Sequence, residues 1–325
     1  MRFVIYGAGA IGGVIGGRLF EGGHDVVLIA RGPHAVALRK EGLRLESPDG
    51  AALLPLPTVS TPAELVWRTD DVVILAMKSQ DTPAALASLE AVAPRELPIV
   101  CAQNGVENER LALRLFQNVY GICVMLPATH LEPAVVQAHS APISGLLDIG
   151  RWPSGTDDTC AEIAAALTES TFESVARADI PRWKYGKLLM NLGNAIDAML
   201  GGRAARQSSV APLAREEGEQ CLVTAGIPFV GQSEDAARRG DLLRTRPVGG
   251  QQRGGGSSWQ SLARGTGSIE ADYLNGEIVL LGRLHGFATP VNEKLRRLAN
   301  DFAREGRAPG SLDEEELLSL LEVVR

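Results

Sequence analysis

The chain has 325 residues, 45% hydrophobic and 22% charged, with a formal net charge of −7. That is an ordinary soluble globular composition, and the length suits two domains of roughly 100–200 residues each. The acidic balance excludes the basic footprint of a nucleic-acid-binding protein, so an anionic ligand must be held by local donors.

The N-terminal stretch Met1–Leu19 is apolar, with Gly9/Gly13 and Gly12/Gly16 at small-xxx-small spacing. Arg18, Glu21, His24 and Asp25 follow closely, and no positively charged leader or run of roughly 18 apolar residues is present, so neither a signal peptide nor a membrane span is expected. Arg2–Tyr6 is a short β-branched and aromatic strand, followed at once by Gly7-Ala8-Gly9-Ala10-Ile11-Gly12. Ile15, Leu19 and Phe20 give a helical period ending near Gly22-Gly23, and Val26–Ala30 is an apolar strand of the kind buried in a parallel sheet. A Gly-x-Gly-x-x-Gly run that ends one strand, opens a helix and reaches a second strand within about 30 residues is a dinucleotide fingerprint. Gly7 permits the turn, Gly9 admits the pyrophosphate and Gly12 lets the helix approach the sheet. The amides of the loop, Ala8, Ala10 and Ile11 included, and the positive helix end face the phosphates.

The second strand ends in Ala30-Arg31-Gly32, without the acidic residue that holds a ribose 2′-hydroxyl. A guanidinium binds a 2′-phosphate through two parallel donors where a carboxylate would repel it. The cofactor expected is therefore NADP(H), with Arg31 reading the phosphate and His34 nearby on the surface. Asp71–Met77 is a third core strand, capped by Lys78-Ser-Gln-Asp-Thr82, and Pro98–Ala102 a fourth, followed by Gln103-Asn104-Gly105. Ligands of doubly wound sheets lie beyond the carboxyl ends of the strands, which places Lys78 and Asn104 on the cofactor side. Tyr120–Met125, Val135–His139 and Leu146–Ile149 read as further strands. Cys101, Cys123, Cys160 and Cys221 form no C-x-x-C pair and no zinc spacing, and read as reduced core thiols of a cytoplasmic protein with no metal site.

From Asp179 the texture becomes helical, with Pro181 where a helix can start. We therefore expect an α/β fold: a Rossmann-like, doubly wound NADP(H)-binding domain over 1–178, then an all-α substrate and catalytic domain over 179–325. In the run Trp183–Asn194, residues Lys187, Asn191 and Asn194 stand at i, i+4 and i+7, one helical face carrying an ammonium and two carboxamides among Leu188, Leu189 and Leu192. Arg215–Ala225 and Glu234–Leu243 are amphipathic helices, Thr245–Gly256 is a loop expected to be mobile and a candidate lid, and Ser257-Ser258-Trp259-Gln260 opens another helix. Glu270 shares a helical stripe with Leu274, Ile278 and Leu281; a buried carboxylate needs a partner, and Lys187 is the natural one.

Taken together, Gly7-x-Gly-x-x-Gly12, Arg31, Met77-Lys78, Gln103-Asn104-Gly105, Trp183-x-x-x-Lys187-Leu-Leu-x-Asn191, Ser257-Ser258 and Ile269-Glu270-x-Asp272-Tyr273-Leu274-Asn275-Gly276 resemble the ketopantoate reductase (2-dehydropantoate 2-reductase) family over nearly the whole chain. The resemblance implies a Rossmann domain followed by a helical domain, with the active site between them. It implies Lys187 as catalytic lysine paired with Glu270, Asn104 near the nicotinamide and the lysine, Lys78 on the cofactor side, and Asn191 and Ser258 on the polar groups of a keto acid. The family pattern has a second asparagine eight residues after the lysine; here Ala195 stands there and Asn194 precedes it as the substitute. The function expected is NADPH-dependent reduction of 2-dehydropantoate to pantoate in pantothenate and CoA biosynthesis, by a monomer or homodimer without nucleic-acid or membrane partners. Two alternatives stay open: a related 2-keto acid reductase of different specificity, and a non-catalytic NADPH-sensing protein.

Overall fold

A computed structural model describes residues 1–322. The strands, in chain order, are β1 (Arg2–Tyr6), β2 (Asp25–Ile29), β3 (Leu43–Ser47), β4 (Gly50–Leu54), β5 (Thr58–Val59), β6 (Asp71–Leu75), β7 (Ile99–Cys101), β8 (Val119–Met125), β9 (Ala128–Thr129), β10 (Val135–Ala138), β11 (Gly145–Arg151) and β12 (Phe172–Glu173). The main sheet runs β12-β11-β8-β7-β6-β1-β2-β5 and the smaller sheet β4-β3-β10-β9. All pairs of the main sheet are parallel except β11 with β8. The chain first builds outward from β1 through β2 and then returns to add β6 on the other side of β1. That reversal makes the carboxyl ends of β1 and β6 the topological switch point, where doubly wound sheets hold their ligands.

The glycines after β1 have a packing reason. The helix Ala10–Glu21 lies between the two sheets, and its two glycine stripes face opposite ways. A Cβ at Gly12 or Gly16 would press on Ile5 of the main sheet at 2.9 and 3.0 Å, and one at Gly13 or Gly17 on Val136 and Leu45 of the smaller sheet at 2.7 and 3.1 Å. The small-xxx-small spacing thus serves close approach to two β surfaces. Among the described residues, no helix is long and apolar enough to cross a membrane.

The chain divides into two compact units, Met1–Lys184 with Gln232–Arg253, and Tyr185–Gly231 with Gly254–Arg325. The second is helical throughout its named elements. This division differs from a cut at 178/179 in two places, each with a charged cause. Lys184 is buried in the first unit with its Nζ 2.5 Å from the Glu109 carboxylate. The helix Gln232–Arg239 returns to the first unit because Arg238 donates to both oxygens of Asp148 at 2.9 and 2.7 Å, and Arg177 shares that carboxylate at 2.5 Å.

The 245–256 segment, a candidate lid, is anchored at its two ends. Thr245 pairs with Ser140, and the Arg246 amide donates to the His139 carbonyl at 2.8 Å. At the other end the Gly256 amide donates to Asp197 at 2.7 Å, and a Cβ at Gly255 would meet the Trp259 ring at 2.3 Å. Glycine here lets the backbone lie on an indole.

Candidate active site

In the first unit, the fingerprint glycines separate into two kinds. Gly7 has φ +100°, and a Cβ there would stand 2.7 Å from the Met77 amide at the end of β6; one at Gly12 would stand 2.1 Å from the Gly7 carbonyl. Both are glycine because the fold leaves no room. A Cβ at Gly9 would meet nothing nearer than His130 Cδ2 at 3.9 Å. Its open side faces space that the fold does not fill, and the helix that follows has no capping side chain and no acidic residue in its first turn. An anionic diphosphate fits there: unopposed amides, a positive helix end and no competing carboxylate. Gly9→Ala should therefore leave the melting temperature within a few degrees of wild type and weaken NADPH binding about tenfold or more, whereas Gly12→Ala should destabilise the fold by about 1–3 kcal/mol. Thermal melting with fluorescence titration of NADPH separates the two outcomes; equal loss of stability in both variants would remove the distinction.

His34, expected on the surface, buttresses this loop. Its Nδ1 accepts from the Ala134 amide at 2.9 Å, so the Nε2–H donates to the Ala8 carbonyl at 2.7 Å, and its ring rests on His130 with centroids 4.4 Å apart. Arg31 caps the helix Gly32–Glu41 and extends a 78% exposed side chain, held by Asp81 at 2.7 Å. That hydrogen bond raises the guanidinium further above its ordinary value. Lys78 precedes the turn Ser79–Asp81 at the end of β6, and Asn104 is half-buried at the end of β7, both on the switch-point side of the sheet. Among the described residues no group of His, Cys, Asp and Glu side chains is placed to hold a metal.

Sequence spacing missed Lys184. It lies one helical turn before Lys187 and is 3% exposed, donating to the carbonyls of Gln103 and Ile122 at 2.8 and 3.2 Å while pairing with Glu109. Two lysines three residues apart look alike in sequence; only the partners, more than 60 residues away, distinguish them.

In the second unit, two expectations are corrected. The helix carrying Lys187 runs Ile180–Asn191 and stops; a turn at Leu192-Gly193 follows, and Asn194 opens the next helix, Asn194–Leu200. The i+7 relation to Lys187 is therefore broken. The break is fixed by Asn275, whose amide donates to the Leu192 carbonyl at 3.1 Å and to Asn292 at 3.0 Å. Asn194 instead lies near Gly256, where a Cβ would be 3.8 Å from its Oδ1. Glu270 likewise does not lie on the stripe of the following helix. It starts a short turn, Glu270–Asp272, separated from the helix Asn275–His285 by the non-helical Leu274 (φ −109°, ψ −87°). Glu270 is nonetheless 4% exposed, and Ser257 donates to it at 3.3 Å. Asn191 and Ser258 are buried as well, and Lys187 is half-buried. Ser257 and Asp197 are thus further polar partners of this region, through Glu270 and the Gly256 amide, that spacing did not single out.

A glycine cradle at the switch point, with an arginine at the end of β2, is the arrangement of a dinucleotide-binding protein. Comparison with known proteins narrows the class. Residues 3–154 match the family described as ketopantoate reductase PanE/ApbA, and residues 179–303 its C-terminal counterpart. The chain belongs to the ketopantoate reductase family. It is similar to the 2-dehydropantoate 2-reductase of Pyrococcus horikoshii, 30% identical over 96% of this chain and 100% of the relative, and to that of Halobacterium salinarum, 29% identical over 94% and 100%. Among solved structures, a PanE/ApbA family ketopantoate reductase from Ralstonia eutropha JMP134 matches with a TM-score of 0.77 and 27% identity, over 94% of this chain and 100% of that one. D-mandelate dehydrogenase with NADH and anilino(oxo)acetate shares the fold, with a TM-score of 0.80 and 22% identity over 95% and 100%. Membership makes the chain an NADP-dependent oxidoreductase acting on CH–OH groups.

Proposed function

We propose that the chain reduces 2-dehydropantoate to pantoate with NADPH, the step that serves pantothenate and CoA biosynthesis. The observation that carries this reading is the cradle open at Gly9 with Arg31 exposed at the end of the next strand, in a chain whose full-length relatives bear that activity's name. Gly7, Ala8, Gly9, Ala10, Ile11 and Gly12 would hold the diphosphate, Arg31 the 2′-phosphate, and Lys78 and Asn104 the nicotinamide side. When bound, NADPH supplies a hydride to the carbonyl carbon. Lys187 stabilises the oxygen as it becomes an alkoxide and gives it a proton, so that hydride and proton together make the alcohol. Glu270 sustains the charged form of Lys187, and Asn104, Asn191, Asn194 and Ser258 bind the carboxylate and hydroxyl of the acid. The enzyme works in the cytoplasm on a free small molecule, as a monomer or homodimer; the burial of all four cysteines supports a reducing compartment.

Arg31→Ala should raise the Kd for NADPH by about 10–100-fold and leave that for NADH within a few-fold, because only the phosphate loses its bidentate donor. Equal loss for both cofactors in a titration would contradict the assignment.

A second reading keeps the chemistry and changes the acid. It is favoured by Ala195, buried at 2%, and by Asn194 turned toward Gly256. A panel of 2-keto acids decides between them: kcat/KM highest for 2-dehydropantoate by orders of magnitude supports the first, and the same preference for another acid supports the second.

A further inference from the structure

Beneath Lys78 and Asn104 lies a connected run of buried hydrogen bonds in which the directions at Gln103, Thr82 and Asn108 are determined. Gln103 Nε2 donates to the Met77 carbonyl at 3.0 Å, and because a carbonyl only accepts, this fixes which way the Gln103 amide faces. The same nitrogen donates to Thr82 Oγ1 at 2.8 Å. Thr82 must then spend its own proton elsewhere, and it donates to Asn108 Oδ1 at 2.8 Å. That bond in turn orients the Asn108 amide, whose Nδ2 donates to Ser79 Oγ and to the Asn104 carbonyl, both at 3.1 Å. Ser79, Thr82, Gln103 and Asn108 are all at most 4% exposed.

The chain of donors starts at the end of β6 and finishes at the end of β7. It grips the backbone before Lys78 through Met77 and the side chain after it through Ser79. It grips Asn104 through that residue's own carbonyl, and the preceding carbonyl, of Gln103, is taken by Lys184 at 2.8 Å. Neither Lys78 nor Asn104 moves along the strand axis without breaking one of these bonds. Buried relays of this kind specify one geometry because an unpaired member is costly in a low dielectric.

We propose that the Gln103–Thr82–Asn108 relay is a positioning device, which sets Lys78 and Asn104 in mutual register for the reaction. Thr82 is its pivot, since its hydroxyl is at once the acceptor for Gln103 and the donor to Asn108. All three are buried, and the relay acts through Lys78 and Asn104. The inference rests on the proposed reduction for its kinetic test and on the fold alone for its structural one.

The experiment compares Thr82→Val, which keeps shape and removes both bonds, with Thr82→Ser, which keeps the hydroxyl. Amide hydrogen exchange is measured across 77–79 and 103–105, together with melting temperature, NADPH affinity, kcat and KM. Thr82→Val is expected to speed exchange in both segments and to lower kcat about tenfold or more, at NADPH affinity within a few-fold of wild type. Thr82→Ser is expected to restore both. A purely structural role would lower the melting temperature of Thr82→Val while kcat per folded molecule stayed within twofold, and that result overturns the proposal. Should wild type turn over no 2-keto acid, the functional reading fails, and the exchange comparison alone decides the relay: unchanged exchange in Thr82→Val overturns it.

Discussion

Lys187→Ala is expected to lower kcat for 2-dehydropantoate reduction by about 10²–10⁴-fold, while NADPH binds within a few-fold of wild type. The magnitude is that of a proton donor lost together with an electrostatic stabiliser of developing charge. The binding expectation follows from the division of the chain: the glycine cradle and Arg31 belong to one unit, and Lys187 belongs to the other. Lys187→Arg keeps the charge yet parts with a proton far less readily, so it should recover little of the lost rate. Rapid-mixing kinetics of NADPH oxidation give kcat, and fluorescence titration gives the affinity. Turnover within a few-fold of wild type would remove Lys187 from the chemistry.

The largest effect on stability is expected from the other lysine of that helix. Glu109 is fully buried, and Lys184 opposes its charge at ion-pair distance. Lys184→Met would strand that carboxylate and cost about 3–5 kcal/mol in urea unfolding. Joining it to Glu109→Leu should return most of the loss, because well-packed apolar pairs replace buried ion pairs at little cost. The pH dependence has a definite sign. Burial raises the Glu109 carboxyl above its ordinary value, and the Lys184 charge pulls it back. Without Lys184 the folded-state value rises further above the unfolded one, so the folded state holds its proton more tightly. Stability is then fully present below the unfolded value of about 4.3 and lost as pH rises through the raised folded value. Lys184→Met should therefore be closer to wild type near pH 5 than near pH 8. A gap that is the same at both would contradict the buried-carboxylate account.

What the sequence makes legible is what its neighbours in the chain determine. The cradle, β1, β2, β6, β7 and the end-of-strand placement of Lys78 and Asn104 follow from short local patterns, and each stands where those patterns put it. The β3–β4 hairpin carries a local signal of its own: Leu43 and Leu45 are buried, Arg44 is exposed, and Pro48-Asp49 makes the turn into Gly50. The helix Asp158–Glu169 also has a local signature, since Asp157 accepts from the Cys160 amide at its start. Other features are set by contacts distant in sequence. Apolar period continues past Leu192 and Gly193 is the local hint of a stop, while Asn275 and Asn292 show what holds the Leu192 carbonyl there. The same holds for His34, whose partner at Ala134 lies 100 residues away. Periodicity therefore attached Asn194 and Glu270 to helices that do not contain them.

The most direct test of the account is isotopic. The wild-type protein is incubated with 2-dehydropantoate and NADPH carrying deuterium at its transferable position, and the acid is analysed by mass spectrometry and NMR. The account predicts pantoate with one deuterium on the former carbonyl carbon, in step with NADPH consumed. Unlabelled acid with no NADPH consumption would contradict it.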